Sequence, residues 1–129
     1  MKSLQSVSTA NAPQAIGPYS QAIQADQLIF VSGQLPIDPE TGKLITGDIG
    51  QQTHQVLCNI QAILKACGSD FQHVVRAELF LKDLKNFDAV NQAYGHYFSA
   101  WKPARQTVEV SRLPKDAEIE ISCIAVMKD

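Results

Sequence analysis

No apolar run in the sequence approaches the roughly 20 residues needed to cross a bilayer. The first ten residues are mostly polar, so no secretory leader is expected. Lys and Arg are scattered, nowhere forming a basic arm. A net charge of −2 and a pI near 5.9 give no electrostatic reason to expect a nucleic-acid partner. Only three cysteines occur, Cys58, Cys67 and Cys123, an odd number with no C-x-x-C spacing, and they read as small buried thiols. The three histidines are far apart, with no H-x-x-x-H pair and no cysteine partner at ligand spacing, so no protein metal site is expected. There is no Ser/His/Asp order, no H-E-x-x-H, no phosphate-cradling glycine loop and no dinucleotide fingerprint. What these absences leave is a soluble, cytoplasmic protein with no obvious covalent nucleophile.

What is present is ordinary globular chemistry. With 129 residues, 45% of them hydrophobic and 19% charged, the chain has the size and composition of one compact domain spanning residues 1–129. Met1 to Ser8 reads as a loosely held end or an edge strand. Ser20–Ala25 and Leu28–Ser32 read as strands joined at Asp26-Gln27, a hairpin loop without the usual glycine. Pro36 to Gly42 is too rich in Pro and Gly for anything but a loop. From Asp48 to Cys67, Ile49, Thr53, Val56, Leu57, Ile60, Ile63, Leu64 and Cys67 recur at helical spacing, with Asp48 placed to cap the start and Gly68 the end. Cys58 and Cys67, nine apart, project to opposite sides of that helix.

Val74–Lys82 is expected as a strand with Val75, Ala77, Leu79 and Leu81 on one face. A second helix is expected from about Asn86 to Ala100, and Arg105–Val110 and Glu118–Val126 as a strand pair around Leu113-Pro114. The order β-β-α-β-α-β-β predicts an α+β fold, one mixed sheet with both helices packed on a single face. The helix-free face would carry Glu118, Glu120 and Ser122 beside Ile124 and Val126. So much apolar content is better covered by another subunit than left wet.

Chemistry concentrates at Pro103-Ala104-Arg105-Gln106-Thr107-Val108-Glu109-Val110. Alternation on a strand puts Arg105, Thr107 and Glu109 on one face. Arg105 is then either a solvated strand-end arginine or a planar fork aimed at a carboxylate or phosphate. Glu120, between Ile119 and Ile121, is either solvated or buried beside a partner. Tyr19 follows the rigid Gly17-Pro18 turn and can present its phenol to a cleft or pack as an amphipathic core aromatic. Ser32-Gly33, at a strand end, offers a hydroxyl and an approachable backbone N–H to an anion, or is common turn chemistry. Asn91 could be a surface amide.

Three motifs in order, Gly17-Pro18-Tyr19-Ser20-Gln21-Ala22, Val31-Ser32-Gly33-Gln34, and Pro103-Ala104-Arg105 with Val108-Glu109-Val110, Arg112-Leu113-Pro114 and Glu118-Ile119-Glu120-Ile121, resemble those of the RidA (YjgF) family. The resemblance runs from about Thr9 to Val126. It implies a chorismate-mutase-like subunit, a homotrimer with a barrel-like centre, and active sites in clefts between subunits. It also implies 2-iminobutanoate/2-iminopropanoate deaminase activity with neither metal nor cofactor, on reactive imines and enamines released by pyridoxal-phosphate-dependent dehydratases. Arg105 would grip the substrate carboxylate, Glu120 would orient or activate the hydrolytic water, and Tyr19, Ser32 and Gly33 would line the pocket. The family also has an asparagine at the position of Asn91. Several members carry cysteine where this chain has Thr107, whose hydroxyl can still hydrogen-bond. Family members have also been labelled endoribonucleases or translation inhibitors. A non-catalytic small-carboxylate-binding protein is the third reading.

Overall fold

The structure is a computed structural model, and it describes residues 3–129. The part of the expected N-terminal strand that falls on Met1 and Lys2 lies outside the described residues. In chain order the elements are β1 (Leu4–Val7), β2 (Ala22–Ala25), β3 (Leu28–Gln34), α1 (Ile49–Ala66), β4 (Val74–Leu81), α2 (Phe87–Gly95), β5 (Ala104–Glu109) and β6 (Ile119–Val126). The strands form one mixed sheet in the order β1-β2-β3-β6-β4-β5, antiparallel except for the parallel β4–β5 pair. Both helices cover the same face, as the sequence predicts.

The α1 stripe is the main reason that face is dry. Val56, Leu57, Ile60, Ile63 and Leu64 are all buried against Ile29, Leu79, Ile119 and Ile121 of the sheet. Asp48 caps the helix: its side chain accepts from Gln51 N at 2.8 Å, and Gln51 Oε1 accepts from Asp48 N, a reciprocal capping box. Gly68 follows at φ 75°, the left-handed geometry glycine tolerates. Between β2 and β3 the turn needs that geometry without glycine, and Asp26 adopts φ 53°.

Several expectations need correction. β5 and β6 do not pair with each other; β6 inserts between β3 and β4, and β5 lies at the edge beside β4. Alternation explains the choice. Ile119, Ile121, Cys123 and Ala125 of β6 are all buried, whereas the polar residues of β5 suit an edge. On β4 the expected face is wrong at one position, because Val74 is buried and Val75 is exposed. The register shifts between Val74 and Arg76, a bulge that re-aims the side chains, and the Val74 carbonyl there accepts from Trp101 Nε1 at 2.7 Å. α2 stops at Gly95; the chain then tightens through Tyr94 so that Phe98 folds back to stack on the Tyr94 ring at 4.5 Å.

The helix-free face carries Glu120, Ser122, Ile124 and Val126 of β6, all half-buried. Beside them, by register, sit Phe30, Phe80 and Val108, with Ile23 opposite Phe30. Phe30 is 42% exposed and Val108 38%, so an apolar patch remains open on a single chain. Among the described residues, no helix is long and apolar enough to cross a membrane.

Candidate functional site

The sheet divides the expected site in two. Glu120 stands opposite Phe80, on the helix-free face. Arg105 stands opposite Ala77, which is buried on the helix face, and its guanidinium lies over two rings of α2. Side chains of one strand alternate between faces, so these two groups of one chain cannot meet across their own sheet. Each lies in a distinct half-site.

The first half-site is a cavity of about 990 Å³ lined by Tyr19, Ser32, Gly33, Pro39, Lys115 and Glu120, among others. Two buried amides hold its walls. Gln21 Nε2 donates to the carbonyls of Thr9, Ala12 and Pro13, and its Oε1 accepts from Thr9 N at 2.7 Å, which fixes the loop leading to Tyr19. Asn59 Nδ2 donates to the carbonyls of Leu35 and Ile37 and ties the opposite loop to α1. These loops have few ladder bonds of their own, so side-chain amides satisfy their carbonyls.

Glu120 lies directly over Gly33. A Cβ on that glycine would stand 2.8 Å from the Glu120 carboxyl carbon, so the carboxylate occupies space that only glycine leaves open. Among the described residues Glu120 forms no hydrogen bond or ion pair, and burial pushes its pKa above the ordinary glutamate value. Ser32-Gly33 does not end a strand, as the sequence suggests; it sits within β3 where the register with β6 shifts between Val31 and Gln34. The Ser32 hydroxyl donates to the Ser20 carbonyl at 2.6 Å, so its proton is already engaged and the oxygen faces any ligand as an acceptor. Tyr19 is 54% exposed at the rim. The Pro18 turn, closed by Tyr19 N donating to the Gly17 carbonyl at 2.9 Å, holds it there rather than in the core.

The second half-site is built around Arg105. Its guanidinium carbon lies 4.9 Å from the Tyr94 ring centroid and 5.7 Å from that of Phe87. Among the described residues it has no ion-pair partner. Phe87, Asn91 and Tyr94 follow one another at helical spacing along α2, and Thr107 shares the strand face of Arg105. Asn91 Oδ1, Tyr94 Oη and Thr107 Oγ1 are buried without a hydrogen-bond partner. Burial, only partly offset by Arg105, raises the Tyr94 phenol to about 12, so it stays protonated and can donate. The Tyr94 and Thr107 hydroxyls, which can donate, and the uncommitted guanidinium are the groups here that suit an anion, whereas Asn91 Oδ1 can only accept. Sequence reasoning singled out Arg105 and Thr107 and set Asn91 aside as a surface amide. It read Tyr94 only as helix stripe, although the stripe aims that ring at β5.

Elsewhere Cys67 and Cys123 are buried, and burial raises both thiols, Cys123 to about 12. Cys58 departs from the expectation by being half-buried. It sits one helical turn from His54, a spacing sequence reasoning overlooked, with Sγ 3.5 Å from Nε2. Among the described residues no group of three or more His, Cys, Asp or Glu is arranged for a metal ion.

Fold and site together define a small single-sheet chain that presents a carboxylate on one face and an arginine without an ion-pair partner on the other. Residues 9–127 match the model of the family described as Endoribonuclease L-PSP, and the chain belongs to that family, the RidA/YjgF family. It is 49% identical over 120 residues to the 2-iminobutanoate/2-iminopropanoate deaminase of Capra hircus, covering 93% of this chain and 88% of that protein. The crystal structure of the E. coli YjgF gene product superposes with a TM-score of 0.91 at 42% identity, covering 96% of this chain and 99% of that one. E. coli TdcF, solved with bound serine, also gives 0.91, at 37% identity and the same coverage.

Proposed function

We propose that the protein is a 2-iminobutanoate/2-iminopropanoate deaminase whose active site is completed between subunits of a homotrimer. The observation that carries the site is the uncommitted Arg105 guanidinium, lying over the Tyr94 and Phe87 rings on the helix that also carries Asn91, with orphaned polar atoms at Asn91, Tyr94 and Thr107. It suits a small carboxylate, and the bound serine of the related TdcF carries one. The relatives named as deaminases, 45% to 51% identical, support the reaction class.

In this mechanism Arg105 of one subunit takes the substrate carboxylate through two parallel hydrogen bonds, and Asn91, Tyr94 and Thr107 complete the pocket. The Glu120 half-site of a neighbouring subunit closes over the imine carbon, with Tyr19 at its rim and Ser32-Gly33 as its floor. The Glu120 carboxylate takes a proton from water as the oxygen adds to the protonated imine, giving a carbinolamine. It returns that proton to nitrogen; as the C–N bond breaks and ammonia leaves, the regenerated carboxylate takes the hydroxyl proton and the 2-oxo acid forms. The raised pKa of Glu120 makes it a stronger base than a solvated glutamate. The apolar patch of Phe30, Phe80, Val108 and Ile124 suits burial against the neighbouring copies.

The test is the decay of 2-aminocrotonate, generated in situ by threonine dehydratase. Wild type speeds 2-oxobutanoate formation while Arg105→Ala matches buffer. If wild type also matches buffer, catalysis is lost as a reading.

A further inference from the structure

Outside both half-sites, three reactive side chains meet on the outer side of the helical layer. His54 and Cys58 are one turn apart on α1, and Tyr97 reaches them from just past the end of α2. Cys58 Sγ lies 3.5 Å from His54 Nε2 and 3.7 Å from Tyr97 Oη, and Tyr97 Oη is hydrogen-bonded to His54 Nδ1. The arrangement that satisfies all three atoms has Nδ1–H donating to Tyr97 Oη, which leaves the Nε2 lone pair for the thiol proton and the phenolic proton for the sulfur. A nucleophile, a base and a group that orients the base are thus in contact.

Access distinguishes this thiol from the others. Cys67 and Cys123 are buried, whereas Cys58 lines a cavity of about 740 Å³ on the α1 ridge. Lys65, two turns further along that ridge, also lines it, as do Lys128 and Asp70, which pair with each other, so the Lys65 ammonium is the charge left to meet a ligand and suits a carboxylate. Lys128 pairs with Asp70 at 3.8 Å; among the described residues Lys65 has no ion pair. Burial and the neighbouring Cys58 both push the Tyr97 phenol up, which keeps it a donor.

We infer that Cys58, served by His54 as base and Tyr97 as orienting donor, is a thiol–disulfide exchange site for small carboxylate-bearing disulfides. The Sγ–H proton passes to His54 Nε2, and the thiolate is held by Nε2–H and the Tyr97 hydroxyl. Sγ attacks one sulfur of the disulfide; the Cys58–S bond forms as the original S–S bond breaks. The departing thiolate takes the proton from His54, so the products are a protein mixed disulfide and one small thiol.

Oxidised glutathione, incubated with the folded protein and followed by intact-mass and peptide mass spectrometry, tests this. One adduct is expected, on Cys58 and not on Cys67 or Cys123. His54→Gln, an exposed substitution, should slow its formation by about tenfold or more, because general-base help is lost. Tyr97→Phe keeps the ring packed against Phe71 and should slow it less. Cys58→Ser should form no adduct yet keep wild-type imine hydrolysis, which separates this site from the deaminase reading. Adduct formation unchanged by His54→Gln, or first modification at Cys67 or Cys123, overturns the inference.

Discussion

Gly33 and Glu120 share one volume: the carboxyl group lies where a Cβ on the glycine would stand, 2.8 Å from its carbon. Gly33 does not have a positive φ, so alanine meets no backbone penalty there. Gly33→Ala therefore acts by displacing Glu120. Overpacking of this kind costs about 1–3 kcal/mol when the neighbour cannot move, and Glu120 can swing outward. We expect Tm to fall little while kcat/KM falls at least about tenfold, as for a misplaced base. Wild-type turnover in Gly33→Ala would show that the position of Glu120 does not matter.

Under the proposed mechanism Glu120 also sets the pH profile. Its folded pKa lies above the ordinary value, so activity that needs its carboxylate should fall along an acid limb displaced upward from the glutamate range. Glu120→Gln should abolish that limb together with most turnover. The linkage has the opposite sign to a salt-bridged acid. Desolvation disfavours the ionised folded form, so the destabilisation begins as pH rises through the unfolded pKa and is complete above the folded one. Glu120→Gln should then be as stable as wild type below both values and more stable at neutral pH, a difference that thermal melts at two pH values will measure.

Arg105→Lys keeps a charge but loses the planar fork that lies over the Tyr94 and Phe87 rings. We expect a folded protein with Tm near wild type and a large loss of kcat/KM. Near-normal turnover by the lysine variant would remove the two-pronged grip from the mechanism.

The two half-sites make complementation measurable. Arg105→Ala and Glu120→Gln chains, each inactive alone, should regain activity when unfolded together and refolded. With random assembly about a quarter of the inter-subunit sites would combine both native groups. No recovery in verified mixed assemblies would mean that Arg105 and Glu120 do not serve one site.

Gln21 tests the wall of the Glu120 cavity. Its amide joins Thr9, Ala12 and Pro13 from a buried position, and Gln21→Ala leaves those groups without partners. Each such orphan costs about 1–3 kcal/mol unless water reaches it. Tm should drop by several degrees, and hydrogen exchange in the Thr9–Tyr19 loop should quicken. An unchanged melt would show that the loop is held by other means.

What the sequence made legible follows from periodicity. The α1 stripe carries its own register and caps, so Asp48, Val56, Ile60 and Gly68 all lie where the pattern places them. β6 was legible as a strand, since Ile119, Ile121, Cys123 and Ala125 alternate with Glu120, Ser122 and Ile124. Its neighbours were not, because pairing partners are a matter of tertiary fit and chain proximity misleads there. Val74 and Val75 are chemically interchangeable, and only the bulge beside Trp101 decides which is buried. The motifs singled out Arg105, Glu120, Tyr19, Ser32 and Gly33 as candidates, but not the fact that a sheet separates the first two. Asn91 and Tyr94 needed the structure, because an orphaned amide and an orphaned phenol become visible only when their neighbours are known.

The opposition of Arg105 and Glu120 across the sheet bears on how much catalyst a cell gains from each chain it makes. On the proposed assembly, a newly synthesised chain holds two incomplete pockets and is inert until it meets its copies. Output then rises more steeply than chain number while expression is low and in proportion to it once association saturates. On that assembly, synthesis too sparse for association supplies polypeptide without catalytic capacity.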